Sequence, residues 1–361
     1  MQAFSANTSR PVDSIVVVLG TGGTIAGTAA SAQDVLGYTA AQLGVEALLG
    51  SVAGLSQLAC GVESEQVAQV DSKDMDVAIW QSLAERITHH LQRSNVIGIV
   101  VTHGTDTVEE TAFFLQLVLP PSLVALKPVV VTCAMRPATA ADADGPQNLL
   151  DALRLASGYP GHNNALSGAP DVPAVRGVAV VCAGVVHSPR YVQKVHPTRL
   201  DPFDSGDAPC LGRISPDGVY VATAQPLQKA TSREGAGRAQ GPVVLSGTDP
   251  WPRVEIVLSH AAAGGALVDA LLAHSATSAD PVRGLVVAGT GNGTVHHALL
   301  AALLRAQARG VKVVRCSRCA CGEVQAVAGH PLPDISALSP VKARIRLMLG
   351  LMESPDSPFV P

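Results

Sequence analysis

At 361 residues the chain is longer than the size at which a single hydrophobic core usually stops growing, so two domains are expected. Apolar residues make up 47% and charged residues 15%, a core-rich composition that excludes the disordered class, and a net charge of −4 gives no electrostatic case for nucleic acid or an anionic membrane. No apolar stretch reaches the length of a membrane span, residues 1–14 lack the charged start and apolar centre of a secretory signal, and seven cysteines, an odd number, suit reduced thiols in a cytoplasm.

Apolar, β-branched runs alternate with amphipathic stretches along the chain. The first run, 14–19, ends at Gly20-Thr21-Gly22-Gly23-Thr24, and the small, polar residues 28–37 that follow read as a mobile loop over a pocket, closing at Tyr38. A helical pattern over 74–93 precedes a strand at 96–102, which stops at His103-Gly104-Thr105-Asp106 before a helix over 107–118. Strands at 128–133 and 177–182 flank a helix at 147–156. The polar, proline- and glycine-bearing stretch 222–253 reads as a linker between domains 1–221 and 254–361. Beyond it come strands at 254–258, 284–288 and 311–316, a helix over 294–309, and a terminal amphipathic helix over 340–351 with Val341, Ile345, Met348 and Leu349 on one face. Such alternation predicts parallel sheets flanked by helices, an α/β fold in two domains.

Two runs that each end in a glycine–threonine turn put hydroxyls at the carboxyl ends of buried strands, where open α/β sheets place ligands. Gly20–Gly27 is not a dinucleotide fingerprint, because Ile25 stands where a small residue is needed, and not a phosphate loop, because Thr28 replaces the lysine. The pattern Cys316, Cys319, Cys321 has no second pair and does not spell a structural zinc site. The pairs His89-His90 and His296-His297 fall on helical patterns as surface or packing residues, and His103 is expected to support the turn that it opens. No metal or cofactor is implied.

Thr21-Gly22-Gly23-Thr24-Ile25-Ala26-Gly27 and His103-Gly104-Thr105-Asp106-Thr107 resemble the two signature motifs of the bacterial-type L-asparaginases, the asparaginase/glutaminase family. The resemblance continues through Val70–Met75, Ala134–Pro137 with Asp144–Leu149, Lys194, Gly289–Gly293 and Arg315–Arg318. It implies a larger N-terminal parallel-sheet domain, a smaller flavodoxin-like C-terminal α/β domain, and a cytoplasmic enzyme that hydrolyses L-asparagine through a threonine acyl-enzyme. By the same resemblance Thr24 attacks and Tyr38 takes or relays its proton. Thr105, Asp106 and Lys194 form a second set, with the lysine as base if it is desolvated near other cations. Ser72 holds the α-carboxylate, Asp106 the α-ammonium, and the Ala134 carbonyl the side-chain amide. Ser72 is also placed to cap the helix that follows it. Lys73 stands where the family often has glutamine or serine, beside the carboxylate it would assist and the ammonium it would repel. Asn292 and Glu323 are the residues by which a neighbouring subunit would complete the site, which implies a homodimer or homotetramer.

Three rivals stand beside this reading: a glutaminase-asparaginase, the amidase subunit of a transamidation system, and a catalytically silent amino-acid sensor on the same fold. The short stretch before the first motif argues against the second. Retention of Thr24, Thr105, Asp106 and Lys194 together argues against the third, because a binder needs no second hydroxyl or lysine.

Overall fold

The computed structural model describes residues 13–158, 175–215, 218, 220–223, 250–335 and 338–353. The chain divides into two compact units, Met1–Ser205 with Pro209–Pro226, and Gly206–Ala208 with Leu227–Pro361. Most of the stretch expected to be a linker, residues 224–249, lies outside the described residues.

The first unit runs β1 (Ile15–Gly22), α1 (Val45–Gly50), β2 (Gly61–Val70), α2 (Val77–Leu91), β3 (Val96–Thr102), α3 (Val108–Val118), α4 (Pro121–Val124), β4 (Val129–Thr132), α5 (Gly145–Ala156) and β5 (Val178–Cys182). Short strands follow: β6 (Val185–His187), β7 (Gln193–Lys194), β8 (Phe203–Asp204), β9 (Gly212–Ile214) and β10 (Tyr220–Ala222). Eight strands form one sheet in the order β10-β9-β6-β5-β4-β3-β1-β2. The five from β5 to β2 are parallel, and β6, β9 and β10 extend the sheet antiparallel. The central strands are buried on both faces, which is why they read as unbroken apolar runs. Val16, Val18, Val100 and Val130 face a core shared with Val45 and Leu48 of α1 and Leu149 and Leu153 of α5. Helix α2 packs on β3 and β2, and α3 on β4 and β5.

β2 has no apolar run. It is the edge of the sheet, and Glu63, Glu65 and two glutamines break up its few apolar residues. Glu65 takes two bonds from Arg86 of α2, and Glu63 two from Arg93 just after it, so the strand is fastened by ion pairs rather than by a second apolar face. These pairs hold both carboxyls below their usual range, chiefly through the Arg93 bond for Glu63 and the Arg86 bond for Glu65.

The chain leaves β1 for β2 on one side and returns to β3 on the other. The connections therefore diverge at the carboxyl ends of β1 and β3, the switch point where doubly wound sheets open a crevice.

The second unit runs β11 (Arg253–Leu258), α6 (Ala266–Ser275), β12 (Val282–Gly289), α7 (His297–Ala308), β13 (Lys312–Ser317) and α8 (Pro340–Glu353), with a parallel sheet in the order β11-β12-β13. Its core joins Val257, Leu285 and Val287 to Leu299 and Leu303 of α7. The terminal helix differs from the one-faced pattern expected of it. Ile345, Met348 and Leu349 are buried, but so are Lys342, Ala343, Leu347 and Leu351, while Val341 is only partly covered. α8 packs on all three strands and donates from Arg344 Nε to the Val254 carbonyl (3.0 Å), so it is enclosed on more than one side. Among the described residues no helix is long and apolar enough to cross a membrane.

Candidate active site

The two threonine turns meet. Gly23 has φ +81°, and a Cβ there would overlap the backbone of Gly104; a Cβ on Gly104 would in turn overlap Ser72. Glycine at both positions thus lets the turn after β1, the turn after β3 and the 3-10 turn over Ser72–Asp74 press against one another. Asp106 N donates to Ser72 Oγ (3.3 Å) and Thr107 Oγ1 donates to the Ser72 carbonyl (2.7 Å), stitching the second and third turns together. Ser72 is buried. It is not the cap of α2: Asp76 is, accepting from Ile79 N at 2.8 Å, because the chain stays extended at Met75 and the helix starts later than its pattern suggests.

Each threonine hydroxyl has a partner able to move a proton. Thr24 Oγ1 lies 2.7 Å from the Tyr38 hydroxyl. The loop that carries Tyr38 is closed at its base by paired backbone bonds between Thr28 and Thr39 (2.9 Å each) and tied at Ala29 N to Thr139 Oγ1 (2.9 Å). Lys194 Nζ donates to Thr105 Oγ1 (2.8 Å) and to Asp106 Oδ1 (2.7 Å). The ammonium's charged neighbour here is a carboxylate, whereas a lysine acting as base was expected to sit near other cations. Lys194 is brought in by the short hairpin of β7 and β8 and by its own N–H, which donates to Glu109 Oε1 on α3 (3.3 Å).

Ala134 is buried just past β4. Its turn is held from α5. Asp144 accepts from Met135 N and Arg136 N (3.0 and 2.9 Å), while Asn148 donates to the Cys133 carbonyl (2.9 Å) and accepts from Ala183 N (3.0 Å). Burial raises the Asp144 carboxyl, against the pull of those amide donors. Asp144 and Asn148 were visible only as part of a matching stretch; the signal for Asp144 was an acid immediately before a Gly-Pro helix start, whose carboxylate here accepts from the preceding strand end and from the Asn148 side chain of its own helix (3.1 Å) rather than capping the helix amides. Cys133 and Cys182 lie buried at adjacent strand ends. The bond from Cys182, with burial, holds the Cys133 thiol well above its ordinary value, so it is a packed thiol and not a nucleophile.

His103 is fully buried behind this meeting point, with Nδ1 2.8 Å from the Gly104 carbonyl, and burial lowers its pKa to about 4.

Three expected residues are placed differently from this group. Lys73 is exposed, with its ammonium between Asp71 (2.7 Å) and Asp74 (3.1 Å) on its own turn. Its pKa is raised, first by the Asp71 bond. Asn292 and Glu323 belong to the second unit. There the Asn292 side chain accepts from Gln325 N (2.6 Å) and donates to the Gln325 carbonyl (3.1 Å), and Gln325 Nε2 reaches the Glu323 carbonyl (3.4 Å). The buried Arg315 donates to the Asn292 carbonyl (2.9 Å) and Ser317 to that of Gly291 (2.7 Å), so the turn after β12 is pinned from beneath. Among the described residues no three His, Cys, Asp or Glu side chains are grouped so as to hold a metal ion.

Comparison with known proteins bears on the whole chain. Residues 15–229 match the family model for the asparaginase N-terminal domain, and residues 253–358 that for the glutaminase/asparaginase C-terminal domain. L-asparaginase 2 of Bacillus subtilis is 37% identical over 94% of this chain and 83% of its own length. The glutaminase-asparaginase of Pseudomonas fluorescens is 33% identical over 95% of this chain and 87% of its own. The crystal structure of a probable cytoplasmic L-asparaginase from Campylobacter jejuni superposes with a TM-score of 0.80 at 35% identity, covering 95% of this chain and 97% of that one. With both halves matched in order and relatives aligned over most of their length, the chain is a member of the asparaginase family of hydrolases.

Proposed function

We propose that the protein converts L-asparagine to L-aspartate and ammonia. One observation carries this reading: two threonine turns in direct contact, each hydroxyl bonded to its own proton-handling partner, Thr24 to Tyr38 and Thr105 to Lys194. An amide carbon is a weak electrophile and threonine a weak nucleophile, so cleavage needs such partners. Thr24 attacks the side-chain amide carbon as its proton passes to the Tyr38 oxygen and the Tyr38 hydroxyl proton passes on to the amide nitrogen; the C–N bond breaks, ammonia leaves, and water cleaves the resulting ester to give aspartate and restore both hydroxyls. Lys194 exchanges a proton with Thr105 while Asp106 balances its charge and receives the substrate's α-ammonium. Ser72 takes the α-carboxylate and the Ala134 carbonyl the amide nitrogen. Lys73, held by two acids, bears on the substrate only through the charge it leaves on its turn. The reaction uses no metal or nucleotide, because these side chains supply nucleophile and proton transfer between them.

The experiment is ammonia release from L-asparagine by the purified protein, with and without a chelator. Turnover that needs an added metal overturns the mechanism. Thr24→Ala and Thr105→Ala each cost orders of magnitude in kcat, and Lys194→Met lowers it strongly. One relative is named a glutaminase-asparaginase, so L-glutamine is the competing substrate. A preference for asparagine of about ten- to a hundredfold in kcat/KM is the worth of one methylene in a closed site, and equal values for the two amides would favour the dual-specificity reading. The working unit in this proposal is a homodimer or homotetramer in the cytoplasm, with Asn292 and Glu323 of one copy walling the site of another. The odd count of seven cysteines and the name of the Campylobacter jejuni neighbour support that compartment.

A further inference from the structure

Behind the meeting point of the turns lies a chain of three hydrogen bonds that the reaction itself does not use. Trp80 Nε1 donates to Thr111 Oγ1 (2.8 Å), Thr111 Oγ1 lies 2.8 Å from His103 Nε2, and His103 Nδ1 lies 2.8 Å from the Gly104 carbonyl. All four residues are buried, and Trp80 is stacked on Phe114 with ring centroids 5.0 Å apart. Donor inventory fixes the direction of the two outer bonds, and burial that of the middle one. A carbonyl only accepts, so Nδ1 carries the proton. An indole N–H only donates, so the Thr111 oxygen accepts from Trp80. Burial holds the ring neutral, so with the proton on Nδ1 the other nitrogen is bare and accepts from the Thr111 hydroxyl. The imidazole is therefore in a single tautomer, with both nitrogens satisfied.

The end of this chain is the peptide that joins Gly104 to Thr105. Gly104 is held between Gly23 and Ser72 and has no side chain to fix its plane. A trans peptide is planar, so tying its carbonyl to His103 sends the Thr105 N–H the opposite way, away from the imidazole and the core beneath it. We propose that His103 is a positioning residue, which locks the Gly104–Thr105 peptide so that Thr105 and its N–H meet the substrate in one orientation. The N–H is then a fixed donor for the oxygen that gains charge when an amide carbonyl is attacked, an interaction felt in the transition state more than in binding. The inference rests on the amide-hydrolysis reading above, and it gives a role to two residues of α2 and α3, Trp80 and Thr111, that touch no reacting atom.

The test compares His103→Leu, His103→Asn and Thr111→Val with the unaltered protein. kcat and KM are measured on L-asparagine, thermal melts establish folding, and 15N NMR of the imidazole reads its tautomer. Asparagine can put an N–H where Nδ1–H was; leucine cannot. Expected are a loss in kcat of about ten- to a hundredfold for the leucine variant with KM little changed, recovery of most of it by asparagine, and a smaller loss for Thr111→Val, which keeps the shape and removes the donor to Nε2. The spectrum of the unaltered protein should show neutral imidazole protonated on Nδ1. A folded leucine variant with undiminished kcat, or a proton on Nε2, overturns the proposal. If the leucine variant does not fold, Thr111→Val and the spectrum decide. An unaltered protein that releases no ammonia overturns the asparaginase reading instead, and the spectrum still answers for the tautomer.

Discussion

Small residues and backbone atoms do much of the site's geometric work. Gly23 has positive φ and no room for a methyl group against Gly104, and the obstructing atoms are backbone. Gly23→Ala should cost about 3 kcal/mol of stability and most of the turnover, read by urea unfolding and ammonia release; a variant of unchanged stability would mean that the turns are not pressed together. His103 makes a second prediction. Its folded pKa of about 4 lies below the ordinary 6.5 because burial disfavours the charged ring, so the unfolded chain binds the extra proton first as pH falls. The stability this gives is present above pH 6.5 and is lost as pH falls through the folded value, about 3 kcal/mol in all and about 2 kcal/mol of it between pH 7 and 5. Unfolding free energies at those two pH values, compared with the same pair for His103→Asn, should differ by that amount; equal slopes would refute it. The motifs named the residue types that carry hydroxyls and charges. They did not reveal Asn148 or the Trp80–Thr111–His103 chain, whose effect depends on which way a carbonyl points, or that two acids on its own turn hold the Lys73 ammonium.

Elements were legible where burial on both faces leaves an unbroken apolar run. β3 was bounded at both ends, and β1, β4, β5, β12 and β13 were found within a few residues. β2 was not, because an edge strand fastened by Glu63 and Glu65 shows neither alternation nor apolarity. β6 to β10 are two or three residues each, too short to carry a period. α6 is apolar on nearly every side, so no face stood out. One side chain joins three elements: Asn148 on α5 bonds the end of β4 through the Cys133 carbonyl and the turn after β5 through Ala183 N, and it is buried. Asn148→Ala leaves both groups without a partner in a dry setting and should cost about 2–4 kcal/mol. Thermal melting checks it, and a shift of less than a degree would show that water takes the amide's place.

On the scale of the whole molecule, every residue proposed to bond substrate directly within one chain, from Thr24 to Lys194, belongs to the first unit, and the second contributes a pinned turn at Asn292. The proposed shared site predicts that activity per chain falls on dilution together with the mass seen by light scattering; a fully active monomer would remove Asn292 and Glu323 from the account. The alternation of runs and helices was enough to anticipate two α/β units, while strand order was not legible, since nothing local to β1 says that β3 becomes its neighbour 81 residues downstream. That order has a consequence for where the protein can tolerate change. Thr24, Thr105 and Ala134 all follow the carboxyl ends of parallel strands, so the connections entering those strands lie at the opposite rim of the sheet. Leu126, exposed just before β4, is on that rim. Insertions at that rim are expected to be tolerated, because no residue of the proposed site lies there. A Gly-Ser pair inserted after Leu126 should leave turnover intact, and the same pair after Ala134 should end it, so that one sheet divides the chain into an intolerant shore and an open one.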